Sequence, residues 1–322
     1  RAQKRGGRGV QGMRTKDEDE VVDLLSARTL DHMLFFTDRG RVYGQRVYNL
    51  PETARDGRGL PMVNFLNLNA EERVTAILIV PDFEQAEYVT LLTQKGKIKR
   101  MQLAEFRDVR PSGIIAMNLL PGDKLGWARL THGKDHFLIV TSGGKACRFT
   151  EEEVRPMGRA AAGVKAIRLA PEDTIAAFDV VEPDGELLVV SELGFGKRSP
   201  MSEFPPHGRN SQGVWALDHQ RIEETGKVAA ARVVHPDDQV SIMTSNGIII
   251  RTLVKDIRQA GRATKGVKVV TPGNGDTVKA MARLSAVVEE KADAEAKADA
   301  DASVTHEEVE EDNGQVAEAS VT

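Results

Sequence analysis

The feature that most constrains this chain is a pattern that returns five times. An apolar run, a polar turn with glycine and a basic run read FFTDRGRVYG around Gly40, LLTQKGKIKR around Gly96 and IVTSGGKACR around Gly144. They return as VVSELGFGKR around Gly194 and IMTSNGIIIR around Gly247. Alternating apolar residues on either side of a glycine turn predict one β-hairpin per copy. Four residues beyond the turn glycine stand Arg100, Arg148, Arg198 and Arg251, whereas the first copy has Gly44 there and Arg46 nearby.

A second signal follows each hairpin: ARDGRGL, VRPSGII, GRAAAGV, GRNSQGV and GRATKGV, with Gly59, Gly113, Gly163, Gly213 and Gly266 in common. Arg55, Arg159, Arg209 and Arg262 lie four residues before their glycine, and Arg110 is shifted by one. A third signal is an acidic or polar turn leading into another apolar strand, as in EDTIAAFDVV and GDTVKAMARL. The N-terminal RAQKRGGRGVQG aligns on the second signal, with Arg5 and Gly9 in register, and EDEVVDLLSA after it repeats the third. The chain therefore holds five full units and one partial unit, at a period near 50 residues.

Several short strands per unit at this period predict an all-β, propeller-like ring of six small sheets over residues 1–284, with neighbouring sheets sharing core. Two β domains joined by a linker are the alternative, and no Pro/Ser-rich linker speaks for them. Residues 285–322 are Ala-rich, charged and without an apolar stripe, which predicts a disordered acidic tail. The chain begins with Arg rather than Met, so it reads as a piece of a longer polypeptide.

Charge is segregated along the chain. From Glu289 to Glu318 there are twelve acids and two lysines, a net of −10. The whole chain has 44 basic and 48 acidic residues, so residues 1–284 are left at +6. There is no long apolar run, so no membrane span is expected. The one cysteine, Cys147, excludes an internal disulfide and reads as a small core residue. The seven histidines show no ligand spacing, and neither a Walker lysine nor a dinucleotide fingerprint is present. No metal, no cofactor and no independent catalysis are expected of this chain.

The repeated bases are more informative. Arginines that recur at one place in each unit line up around a ring and form a basic rim, which is the electrostatic footprint of a duplex backbone. Candidate contacts are Arg55, Arg58, Lys97, Lys99, Arg100, Arg110, Lys145, Arg148, Arg159, Lys165, Lys197, Arg198, Arg209, Arg251, Arg262 and Lys265. With aromatics at 5%, base stacking on single strands is disfavoured. The competing reading is that these arginines pair with acids of the third signal and hold neighbouring sheets together. Bending a few tens of base pairs through half a turn costs on the order of 10 kcal/mol. Non-specific binding near ~10⁻⁵ M supplies roughly 7 kcal/mol, so several units must share the grip.

Gln3-Lys4-Arg5-Gly6-Gly7-Arg8-Gly9 matches in full the heptad known as the gyrase-A box, and with the repeats the chain resembles the C-terminal domain family of the DNA gyrase A subunit. The resemblance implies a six-bladed β-pinwheel that wraps double-stranded DNA in a positive sense, with the box residues Gln3, Lys4, Arg5, Gly6, Gly7, Arg8 and Gly9 fastening the wrap. It implies a non-catalytic part of an ATP-dependent type IIA topoisomerase, which introduces negative supercoils in the bacterial cytoplasm. The rest of the A subunit would lie upstream, and the B subunit would complete an A2B2 heterotetramer. ATP and Mg would belong to other parts of the holoenzyme, and the isolated domain would be monomeric. A topoisomerase IV counterpart that wraps weakly and a propeller-type protein-interaction scaffold are the alternatives. The tail is expected either to modulate wrapping by competing with DNA or only to solubilise.

Overall fold

The computed structural model of the protein describes residues 10–11, 25, 27–52, 59–84 and 86–284. Strand β1 (Val10–Gln11) belongs to the partial unit. The first full unit supplies β2 (His32–Thr37), β3 (Arg41–Arg46) and β4 (Val74–Val80). The second supplies β5 (Tyr88–Thr93), β6 (Lys97–Gln102), β7 (Ile114–Ile115) and β8 (Leu125–Thr131). The third holds β9 (His136–Thr141), β10 (Lys145–Thr150), β11 (Val164–Lys165) and β12 (Ile175–Val181). In the fourth are β13 (Glu186–Ser191), β14 (Phe195–Pro200), β15 (Val214–Trp215) and β16 (Val228–Val234). The fifth closes the series with β17 (Gln239–Thr244), β18 (Ile248–Leu253), β19 (Val267–Lys268) and β20 (Val278–Leu284).

Each hairpin stands at the centre of a four-stranded antiparallel sheet. On one side it takes the long strand of its own unit, and on the other the short strand of the next unit, as in β16-β13-β14-β19. The last hairpin takes β1 from the N-terminal partial unit, with Val10 opposite Ile249 and Gln11 opposite Ile248. The all-β, propeller-like architecture is therefore as expected, but the count differs. The described residues form five sheets, not six. Each described sheet has a hairpin at its centre, and the described residues hold five hairpins. Among the described residues the partial unit contributes its short strand, which joins the fifth sheet.

The hairpin turns explain the T-x-x-G spelling. Thr93 Oγ1 accepts from the amide of Lys97 at 2.9 Å, and the amide of Gly96 donates to the Thr93 carbonyl at 3.0 Å. The same pair of bonds recurs from Thr141 to Lys145 and Gly144. The acid of the third signal caps the turn from the far side: Asp123 accepts from Thr93 Oγ1 at 2.7 Å and from the Lys95 amide at 3.0 Å. Asp173 and Asp276 cap their turns in a related way, accepting from the serine after the turn threonine, Ser142 Oγ at 2.9 Å and Ser245 Oγ at 2.7 Å, and from the amides of Gly143 and Asn246.

Cores lie between sheets. Leu188 and Val190 of β13 pack with Val240, Ile242 and Ile250 of the next sheet, while Leu187 and Val189 pack with Leu138, Val140 and Ala146 of the preceding one. Both faces of an interior sheet are thus covered, which is why its first hairpin strand reads as an unbroken apolar run. Burying each such side chain stabilises by about 1.5–3 kcal/mol. The five long strands meet around a cavity lined by Ala76, Trp127, Ala177, Ala230 and Met281, one from each sheet. Beside it, Asp179 of β12 ties three sheets: it accepts from Arg129 Nε of β8 at 3.2 Å and from Arg232 Nε of β16 at 3.0 Å. Burial pushes the Asp179 carboxyl up, but Arg232 and Arg129 outweigh this and hold it below the usual range.

Candidate nucleic-acid interface

The outer edge of each sheet is built from two units at once. The second hairpin strand supplies one side; the arginine-glycine loop of the next unit runs over it and enters the short outer strand. This crossing brings backbones too close for a side chain. A Cβ on Gly213 would lie 2.1 Å from the Ala146 carbonyl oxygen, and Gly213 sits at φ +69. The turn glycine answers it: the Gly144 carbonyl accepts from the amide of Ala216, just past the short strand, at 2.7 Å. Gly163 and Gly266 repeat the close approach of the loop glycine, and Gly40 and Gly194 that of the turn glycine, whereas a Cβ on Gly59 would meet nothing within 4 Å.

On this edge, Lys97 of β6 stands directly opposite Lys165 of β11, and neither has an ion-pair partner among the described residues. Arg159, in the loop leading to β11, is exposed, as is Arg110 in the loop leading to β7. Arg209 Nη1 donates to the Lys165 carbonyl at 2.6 Å, and Arg262 Nη1 to the Trp215 carbonyl at 3.1 Å. Each of these two loop arginines thus holds the preceding short strand, so consecutive loops follow one another around the edge. Lys145 Nζ lies 3.8 Å from the centre of the Trp215 ring. Burial and then the Arg262 charge lower its pKa. Lys265 pairs with Glu224 at 2.5 Å.

Other sequence candidates are placed elsewhere. Lys99 and Lys197 are fully buried, so their charges do not reach the surface. Arg100 is also buried, with Nη1 3.2 Å from Glu151 Oε1 and its guanidinium over the Tyr88 ring. Arg148 Nη1 donates to the carbonyls of Met201 and Phe204 in the next unit, at 3.2 and 3.3 Å. Arg198 bonds Glu186 at 2.7 Å and the Ile257 carbonyl at 2.7 Å, and Arg251 Nε donates to Gln239 at 2.7 Å. The arginines that follow four of the turns thus fasten strands and units; Arg100 is buried, and Arg148, Arg198 and Arg251 are half-buried. The acids that Arg100 and Arg198 meet, Glu151 and Glu186, are not those of the third signal. The box residues 3–9, Arg55, Arg58 and the acidic tail lie outside the described residues.

Two members of the edge escaped sequence reasoning. Lys268 occupies the place of Lys165, one residue after the valine that follows the loop glycine; it is exposed, with Nζ 4.5 Å from the centre of the Phe195 ring opposite. The shared Gly-Val-Lys spelling was the available signal. Trp215 stacks on His219 at 4.1 Å, an aromatic platform that no repeat marks. Among the described residues no cluster of His, Cys, Asp and Glu could hold a metal, and no helix is long and apolar enough to cross a membrane.

Comparison with known proteins follows the same units. The family described as DNA gyrase C-terminal domain, beta-propeller, matches residues 1–28, 31–81, 87–131, 135–182, 185–235 and 238–285. The chain is 39% identical over 285 residues to the DNA gyrase A subunit of Mycolicibacterium smegmatis, covering 88% of this chain and 34% of that protein. It is 40% identical over 290 residues to the corresponding protein of Salmonella typhimurium, covering 90% and 33%. It thus spans about a third of the length of these relatives. A solved DNA gyrase A C-terminal domain shares the fold, with a TM-score of 0.79 at 24% identity over 88% of this chain and 93% of that one. The C-terminal domain of a DNA topoisomerase IV superposes with a TM-score of 0.73 at 26% identity, over 86% of each chain. Matched unit by unit along its repeats, the chain belongs to the DNA gyrase C-terminal domain family.

Proposed function

We propose that this domain binds duplex DNA with little regard to sequence and wraps it in a positive sense along the outer edge, so that a gyrase can introduce negative supercoils. The observation that carries this reading is the facing pair Lys97 and Lys165, with Arg159 exposed in the loop leading to β11. Like charges directly opposite on adjacent strands are destabilising unless an anion lies between them. A phosphate backbone is the polyanion that meets such cations at intervals along a curved edge. The heptad Gln3-Lys4-Arg5-Gly6-Gly7-Arg8-Gly9 crowds more charge and glycine into one loop than any other unit does, and it is the proposed fastening point. Catalysis and ATP use would belong to the rest of the A subunit and to a B subunit. The tail, net −10 from Glu289 to Glu318, would compete with DNA for the same cations.

The test is a gel shift of linear duplex with the 322-residue chain across a salt series. Binding should weaken steeply, with log K falling by about 0.9 per phosphate neutralised for each unit of log[salt]. Absence of binding at low salt would favour a protein-interaction scaffold instead.

A further inference from the structure

One position beneath the outer edge has a chemistry of its own. Three residues after the turn glycine, on the second hairpin strand, stand Tyr43, Lys99, Cys147, Lys197 and Ile250. The first four are in contact with, or underlie, the arginine-glycine loop of the next unit. A Cβ on Gly113 would be 2.7 Å from the Tyr43 ring. Cys147 Sγ lies 3.1 Å from Ser211 Oγ. Lys99 Nζ donates to three carbonyls of one loop, those of Gly158 at 3.0 Å, Arg159 at 2.7 Å and Ala161 at 3.3 Å. Lys197 Nζ donates to the carbonyls of Gly261, at 2.5 Å, and Arg262.

A fully buried ammonium is a poor choice for stability alone. Replacing such a charge by an apolar side chain of similar volume is often neutral or stabilising. Here the three donors of Lys99 are used up on three carbonyls of one short loop, and no carboxylate is bonded to it. Charged groups near Lys99 are Glu105 and Arg159; near Lys197 they are Glu203, Arg262 and Asp218. A carbonyl held inward by such a clamp fixes the φ/ψ of its residue, and therefore where that residue's side chain leaves the loop. Both clamped loops hold their arginine at the clamped residue, Arg159 and Arg262.

We propose that Lys99 and Lys197 are positioning residues for the duplex-facing loops, each fixing an arginine of the next unit by gathering the loop carbonyls around a buried ammonium. The proposal rests on the DNA-binding reading above. It makes the order of these two loops sensitive to protonation, because burial lowers both lysines to about 8. Above that value the ammonium becomes an amine, loses a donor and its charge, and holds the loop less firmly.

The test measures duplex affinity of the 322-residue chain at pH 7 and pH 9 and fixed salt, for the native sequence and for the Lys99→Met/Lys197→Met double variant. The native chain should lose about tenfold in affinity between pH 7 and pH 9, the scale of leaving two interface side chains to be ordered on binding. The variant, with no donor to titrate, should bind about tenfold more weakly at pH 7 and lose little further at pH 9. Native binding that is flat from pH 7 to 9, or a folded variant that binds and titrates as the native chain does, overturns the clamps. If the variant does not fold, the native pH profile alone decides. A native chain that binds no duplex at pH 7 and low salt removes the DNA-binding reading itself, which is a different result.

Discussion

Lys97 and Lys165 face each other across the antiparallel pairing of β6 with β11. One belongs to the second unit and the other to the third, so strand exchange between units creates the charge pair. Substituting both by alanine should weaken duplex binding about equally across sequences and reduce the salt slope by about 2, one for each phosphate no longer neutralised. Folding stability should hold or rise slightly, because a like-charge repulsion disappears. A salt titration of the binding constant, together with a thermal melt, checks both halves.

The close crossing at Gly213 makes a stability prediction. Gly213→Ala sets a Cβ against the Ala146 carbonyl at 2.1 Å and forces a left-handed φ of +69 on a residue with a side chain. The substitution should cost about 2 kcal/mol or more. Urea denaturation would show it as a lower midpoint at unchanged slope. Gly158→Ala is the control, since a Cβ there meets nothing within 4 Å.

Asp179 should matter more than any edge residue for folding. Asp179→Asn leaves the Arg129 and Arg232 guanidiniums without their shared carboxylate, in a site that links three sheets. Removing one partner of a buried ion cluster costs about 3–5 kcal/mol. Calorimetry should report a large fall in melting temperature, whereas an unchanged melt would mean the cluster is solvated.

The buried lysines predict an unusual pH dependence of stability. Their folded pKa is lowered to about 8 from the ordinary 10.5. Between those values the unfolded chain binds more protons than the folded one, so their contribution to stability rises with pH. Below about 8 both states hold the proton and the full desolvation penalty is present. Denaturation at pH 7.5 and 9.5 should therefore show the native chain gaining stability relative to the Lys99→Met/Lys197→Met variant. DNA affinity is expected to fall over the same window, and a role confined to the core would not separate the two.

The hairpins and the propeller-like order of units were legible in the sequence because each is spelled by a repeat. T-x-x-G specifies a turn by local hydrogen bonds, and the apolar run ahead of it specifies a strand covered on both faces. The destination of a repeated arginine was not legible. Arg100 and Arg159 are both arginines near a repeated glycine, yet one is buried against Glu151 and the other is exposed. The difference comes from strand exchange, which buries the second hairpin strand beneath a loop of the next unit. The number of sheets was misread for the same reason: a short strand joins the hairpin of another unit, so the partial unit's short strand completes the fifth sheet instead of marking a sheet of its own.

The most direct test of the central claim is the linking number of plasmid relaxed by a type I topoisomerase in the presence of the 322-residue chain. Wrapping around the outer edge should leave a positive change that grows with protein. It should disappear when Lys4, Arg5 and Arg8 are replaced by alanine, although duplex binding persists. A native chain that binds the plasmid but leaves its linking number unchanged would contradict the account.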